Sequence, residues 1–156
     1  MSRFREGIRY LYGRRMVLAT ADDALAQVLT DFLDRYGVQV TRLNSVAAVG
    51  EEIRRRLYGT RRIYLAILID APLAENMLEG WRQALAINPV LADTPVAVLA
   101  PENQQAFWRQ VDEVRHVLPL PLSPRAMLRW LAAISRWRQF VHELEGRGEP
   151  PARLSR

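Results

Sequence analysis

The most apolar stretch of the chain is IYLAILI, at Ile63–Ile69, and it ends directly at Asp70. A continuous apolar run of this length with β-branched residues is typical of a strand that is buried on both faces of a parallel sheet. We therefore predict that Ile63–Ile69 is the central strand of such a sheet. A proline-containing loop is expected after Asp70, whose carboxylate then stands at the sheet edge where open α/β sheets bind ligands.

Apolar segments and segments of helical periodicity alternate on both sides of this strand, which predicts an α/β fold with helices on both faces of the sheet. The other predicted strands are Met16–Thr20, Val38–Leu43, Pro95–Ala100 and Val114–Leu118. The predicted helices run from a cap at Asp22 or Asp23 to Tyr36, and over Ser45–Leu57, Met77–Ile87, Glu102–Gln110 and Ser123 to about Glu145. Two prolines in Asn88–Pro95 make a helix there improbable.

Composition excludes several kinds of chemistry. The chain has no cysteine and no lysine, so thiolate sites, disulfides and lysine Schiff bases are absent. We find no catalytic triad, glycine-rich phosphate loop or metal-ligand cluster, and we expect neither an enzyme nor a cofactor.

The net charge of +5 raises nucleic-acid binding as an alternative, but the arginines cluster only at Arg54–Arg56 and Arg61–Arg62. A solvated surface is the simpler interpretation.

The order of these elements resembles the CheY-like receiver domain of response regulators, as found in bacterial two-component and hybrid sensor proteins. The resemblance covers Arg14–Ile134. It depends on the sequences GRRMVLATADD at 13–23, YLAILID at 64–70, TPVAVLA at 94–100 and LPLPLSP at 118–124. It implies a three-layer α/β/α sandwich around a five-stranded parallel sheet in the order 2-1-3-4-5, with an N-terminal helix and an extended C-terminal helix.

In that family an acidic pair after the first strand holds Mg²⁺, and an aspartate after the third strand accepts phosphate. A Ser or Thr ends the fourth strand, and a lysine precedes a proline after the fifth. Asp70 matches the phosphoacceptor. The remaining positions are degenerate: Thr20 and Ala21 replace the acidic pair, with Asp22 and Asp23 displaced into the helix, Ala100 replaces the Ser or Thr, and Leu120 replaces the lysine. A slip of one residue would return Asp22 to the second acidic position.

The last predicted helix carries an apolar stripe at heptad spacing. The residues of the stripe are Met127, Trp130, Ile134, Trp137, Val141 and Leu144. Beyond Ile134 the stripe needs a cover, either a second copy or a signalling partner, or Phe4, Ile8 and Leu11 of the N-terminal helix. We predict an extension at 1–13, a domain at 14–145 and a flexible tail at 146–156. The predicted interaction face comprises Trp130, Ile134, Trp137, Val141 and Leu144.

The retained architecture and altered pocket predict a pseudo-receiver that acts through protein contact, without phosphorylation and without a bound metal. Its expected partners are a histidine kinase, a phosphotransferase or another signalling domain, with homodimerisation through the last helix as a further expectation. An atypical receiver that is still phosphorylated on Asp70 is the first alternative. No apolar run approaches the roughly 18 residues of a membrane span, and no secretory signal is visible, so a cytoplasmic location is expected.

Overall fold

A computed structural model describes residues 9–56 and 64–146, with the side chains of 9–55 and 64–140. Its strands are β1 (Arg15–Ala19), β2 (Gln39–Leu43), β3 (Tyr64–Asp70), β4 (Val96–Pro101) and β5 (His116–Leu120). They form one five-stranded sheet in the order β2-β1-β3-β4-β5, and every neighbouring pair is parallel. The apolar stretch that ends at Asp70 is the middle strand. The predicted sheet and strand order are confirmed.

Five α-helices connect or follow these strands. They are α1 (Asp23–Asp34), α2 (Val46–Arg56), α3 (Ala71–Ile87), α4 (Glu102–Arg109) and α5 (Pro124–Gly146). The caps that the sequence predicts are present at two of them. The Asp22 carboxylate accepts a hydrogen bond from the Leu25 N–H at 3.1 Å, and the Ser123 hydroxyl accepts one from the Ala126 N–H at 3.2 Å. Each cap satisfies a backbone donor that has no partner inside its helix.

The helices cover the two faces of the sheet with separate apolar cores. On one face α1 and α5 pack against the sheet, and Leu29, Leu33, Leu131 and Ile134 are fully or almost fully buried. On the other face α2, α3 and α4 cover the strands, with Met77, Trp81 and Trp108 in the core. The inner strands β1, β3 and β4 are mostly buried, which explains why they are apolar along most of their length, whereas the edge strand β2 carries polar residues.

Three predicted boundaries are wrong in ways that affect the site. Helix α3 begins at Ala71, directly after Asp70, where a loop was expected. Strand β5 runs over His116–Leu120 and so lies two residues later than predicted. It contains Pro119, which the sheet tolerates because β5 is an edge strand. A 3₁₀ helix forms at Pro89–Asp93, where no helix was expected, and the Asn88 side chain caps it.

The described part of the N-terminal extension belongs to the same core as the sheet, because Leu11 is fully buried there. Phe4 and Ile8, residues 57–63 and the residues beyond 146 lie outside the described residues. Within the described residues, no helix has both the length and the hydropathy to cross a bilayer.

Candidate functional site

Thr20 and Asp70 lie side by side at the carboxyl edge of the sheet. The register pairs Ala19 with Ile69 on β1 and β3, so the next residue of each chain segment meets the other. The Thr20 hydroxyl donates a hydrogen bond of 2.6 Å to Asp70 Oδ2. Thr20 is completely buried and Asp70 is 7% exposed. The structure therefore places a hydroxyl, not an acid, beside the carboxylate at the phosphoacceptor position.

The second oxygen of Asp70 is committed to the backbone. Asp70 is the N-cap of α3, and its Oδ1 accepts a hydrogen bond of 3.1 Å from the Leu73 N–H. Pro72 lies in the first turn of that helix, where a missing N–H costs nothing. Both oxygens of the carboxylate thus hold parts of the fold together, one through β1 and one through α3.

Thr20 connects three segments around this carboxylate. Its oxygen Oγ1 accepts a hydrogen bond of 3.1 Å from the Asp22 N–H, so its single hydrogen is left for Asp70. Its carbonyl oxygen accepts a hydrogen bond of 3.2 Å from Arg42 Nη2 at the end of β2. The same guanidinium pairs with Asp23 Oδ1 at 2.7 Å. Arg42 is not among the residues that the sequence predicts for the site, because one charged residue near a strand end carries no specific signal.

A crevice of about 420 Å³ lies over these residues at the carboxyl edge. Its lining comprises Ala21, Asp22, Leu25, Asp70, Ala71, Pro72, Leu73, Leu99, Pro101, Gln104 and Leu120. The walls are mostly apolar, and the charged groups among these residues are two carboxylates. Leu120 occupies the place of the family's lysine and lines the crevice with an alkyl group. Ala100 is buried in the core of the other face and offers no hydroxyl.

These residues do not fit a Mg²⁺ ion. Magnesium prefers octahedral oxygen ligands and is usually bound through one or two free carboxylates. Asp22 caps α1, Asp23 pairs with Arg42, and both oxygens of Asp70 accept hydrogen bonds from the protein. Within residues 9–55 and 64–140, no group of three histidine or acidic side chains is arranged to hold a metal. Each of these carboxylates therefore already has a protein partner, and Thr20 and Ala21 stand where the family has its acidic pair.

Two members of the predicted interaction face are core residues, and this part of the prediction is wrong. Trp130 is 4% exposed and Ile134 is fully buried, both against the sheet. The Trp130 indole N–H donates a hydrogen bond of 3.2 Å to His116 Nδ1. Burial and the charge of Arg115 lower the pKa of His116, which keeps its imidazole neutral as an acceptor. Side chains in this environment are not available to a partner.

The remaining members of the stripe lie farther along α5. Trp137 is partly buried, and the Arg138 guanidinium lies 5.4 Å from the centre of its ring. Phe140, which lies outside the predicted stripe, is 48% exposed. The backbone of Val141 and Leu144 continues the helix, while their side chains lie outside the described part of the chain.

The arginine cluster is described only in part. Arg54 and Arg55 are exposed on α2, and Arg55 contacts Glu52 at 3.2 Å. The side chain of Arg56 and all of Arg61 and Arg62 lie outside the described residues. The nucleic-acid alternative therefore stays a prediction.

Comparison with known proteins places this fold among receiver domains. No protein-family model and no curated protein matches the chain. A response regulator receiver domain protein from Clostridium thermocellum has 12% identity and a TM-score of 0.63, over 82% of this chain and 98% of that protein. A sensor protein from Polaromonas sp. JS666 has 19% identity and a TM-score of 0.62, over 80% of this chain and 97% of that protein. Full-length FixJ from B. japonicum has 13% identity and a TM-score of 0.64, over 86% of this chain and 64% of that protein. The resemblance inferred from the sequence is confirmed for the fold: the chain has the CheY-like architecture of response regulator receiver domains.

Proposed function

We propose that this chain is a receiver-like signalling module of a two-component pathway that acts through protein contact and without phosphorylation of Asp70. One observation carries the proposal. The carboxylate of Asp70 is buried, each of its oxygens accepts a hydrogen bond from the protein, and no basic side chain of residues 9–55 and 64–140 lines the crevice above it. The module is not catalytic in this proposal, and its pathway operates in the cytoplasm.

The electrostatics of the crevice oppose phosphoryl transfer. The transferred group carries charge on three equatorial oxygens, which metal ions and cationic side chains must offset. Here Asp22 and Asp70 face the crevice, so an incoming phosphate meets two like charges. The chain has no lysine that could replace Leu120. Each lost charge-stabilising contact costs a large factor in rate, because such contacts act in a water-excluded site.

Retained architecture with a changed pocket leaves protein contact as the means of signalling. The candidate contact surface is the outer half of α5, where Trp137 is partly buried and Phe140 exposed. The partners in this proposal are a histidine kinase, a phosphotransferase or another signalling domain, or a second copy of the chain. Trp130 and Ile134 are excluded from the surface because they fill the core.

The direct test is incubation with acetyl phosphate and Mg²⁺ followed by measurement of the intact mass. We expect no stoichiometric addition of phosphate to the wild-type chain. The variant Asp70→Asn serves as the site control because asparagine is an equally good N-cap. Asp34→Asn is the matched control, since it removes one exposed carboxylate from the end of α1.

Two results matter for the choice between candidate functions. Phosphorylation of the wild type and of Asp34→Asn, but not of Asp70→Asn, would overturn the proposal and establish the atypical phosphorylated receiver. An unchanged mass in all three proteins supports signalling by contact alone.

A further inference from the structure

We propose that the crevice over Asp70 binds a small organic cation, an ammonium or amidinium group carried on an apolar body. This site goes beyond the proposed signalling role and does not require a protein partner. The walls, the charge and the size of the crevice support it independently.

The walls of the crevice suit an apolar body. Leucines from four different segments line it: Leu25 from α1, Leu73 from α3, Leu99 from β4 and Leu120 from β5. Pro72 and Pro101 contribute further apolar surface. The volume of about 420 Å³ falls within the range of about 300–1,000 Å³ that is typical of small-molecule sites. Such sites combine apolar walls with a few polar groups that orient the ligand.

The polar groups of the crevice select a cation. Among the described residues, the charged side chains that line it are Asp22 and Asp70, and no arginine of that part of the chain lines it. Asp70 is 7% exposed and forms no ion pair with any basic residue of the described chain. A carboxylate presents about four lone-pair sites, and the protein uses one on each oxygen. The remaining sites can accept hydrogen bonds from a ligand N–H.

The burial of the Asp70 carboxylate explains why the crevice should prefer a cationic ligand to a neutral hydrogen-bond donor. A buried carboxylate without an ion-pair partner has lost hydration that hydrogen bonds replace only in part. An ammonium or amidinium on a hydrophobic body restores the missing charge and displaces water from the leucine walls. A phosphate or carboxylate ligand would add a like charge to Asp22 and Asp70. The two carboxylates therefore favour a cationic ligand in this crevice over an anionic one.

The test uses three probes of the same shape and different charge: benzylamine, benzyl alcohol and benzoate. Each is titrated into the ¹⁵N-labelled chain, and amide chemical shifts are followed at Ala71, Leu73 and Leu120. We expect saturable shifts with benzylamine at these amides. Binding of benzyl alcohol should be about ten- to a hundredfold weaker, which is the effect of losing a charge-assisted hydrogen bond. Benzoate should give no saturable shift there.

Variants separate the crevice from general surface charge. Asp70→Asn keeps the cap and should weaken benzylamine binding by about ten- to a hundredfold. Asp34→Asn removes an exposed carboxylate away from the crevice and should bind benzylamine like the wild type. Leu120→Lys places a cation in the crevice and should abolish binding. Thermal melting of each variant shows whether it is folded.

Several outcomes would overturn the proposal. These are the absence of saturable benzylamine shifts, equal affinity for benzylamine and benzyl alcohol, or unchanged affinity in folded Asp70→Asn. A failure of the proposed function is distinguishable, because it appears as a mass increase with acetyl phosphate and not as a change in amine binding.

Discussion

The structural role of Asp70 predicts a difference in stability between two substitutions that remove the same charge. Asp70→Asn keeps a side-chain oxygen for the Leu73 N–H, since asparagine caps helices as well as aspartate does. Asp70→Ala loses the cap, which costs about 1 kcal/mol. It also leaves the completely buried Thr20 hydroxyl without its acceptor, which costs about 1–3 kcal/mol. In Asp70→Asn the amide nitrogen takes the place of Oδ2, so the Thr20 hydroxyl loses its acceptor in both variants. The cap alone should therefore make Asp70→Ala less stable than Asp70→Asn, by about 1 kcal/mol.

The measurement is urea unfolding followed by the fluorescence of the four tryptophans, with circular dichroism as a second probe of two-state behaviour. A double-mutant cycle with Thr20→Val isolates the contribution of the Thr20 hydroxyl. In that background the orphaned hydroxyl is already absent, so Asp70→Ala should cost only the cap, about 1 kcal/mol. The coupling free energy between the two positions should then be about 1–3 kcal/mol.

A difference below about 0.5 kcal/mol between Asp70→Ala and Asp70→Asn, the usual scatter of surface substitutions, would refute this reasoning. So would a coupling free energy near zero. Either result would mean that the carboxylate is not needed for packing, and it would return Asp70 to consideration as a residue kept for chemistry.

Two further predictions concern α5. Because burial and Arg115 hold the pKa of His116 below its ordinary 6.5, the unfolded chain binds the proton more readily. The contribution of His116 to the free energy of unfolding should be fully present above about pH 6.5 and should be lost as the pH drops through the pKa of His116 in the folded chain. His116→Asn keeps an acceptor for Trp130 and should remove that part of the pH dependence of the urea midpoint. If the outer half of α5 forms a dimer, Trp137→Ala should lower the mass in light scattering, and Ile87→Ala, exposed on α3, should not. A monomeric wild type would exclude the second copy as partner.

The fold could be predicted because its signals are repeated along the whole chain. Three apolar inner strands and two edge strands, separated by segments of helical periodicity, leave few alternatives to a doubly wound parallel sheet. Boundaries were less accurate, and α3 shows why. Ser123 followed by Pro124 was interpreted as a helix start, and the structure confirms it. Asp70 followed by Pro72 is the same kind of signal and also starts a helix, but a proline after a strand is equally typical of a loop.

For the site, the sequence could predict which residues stand at the positions of the family's functional residues, but not the contacts between them. Sequence order placed Thr20, Ala100 and Leu120 at the altered positions, but it carries no information on which side chains contact each other. The hydrogen bond from Thr20 to Asp70 depends on the register between β1 and β3, and that register is a tertiary property. Gln104, which also lines the crevice, lies on α4 in a segment whose polar sequence resembles any exposed helix. Its position follows from packing alone.

The substitutions around Asp70 are physically linked. With Leu120 in place of the family's lysine, the Asp70 carboxylate forms no ion pair within the described residues, and hydrogen bonds from the protein compensate its burial. Thr20 supplies one of these through its hydroxyl, whereas an acid at that position would place two like charges in contact. The start of α3 directly after Asp70 supplies the other. A carboxylate held in this way stabilises the sheet edge and still presents lone pairs to the crevice, which is why the same residue can be essential for folding and attractive to a cationic ligand.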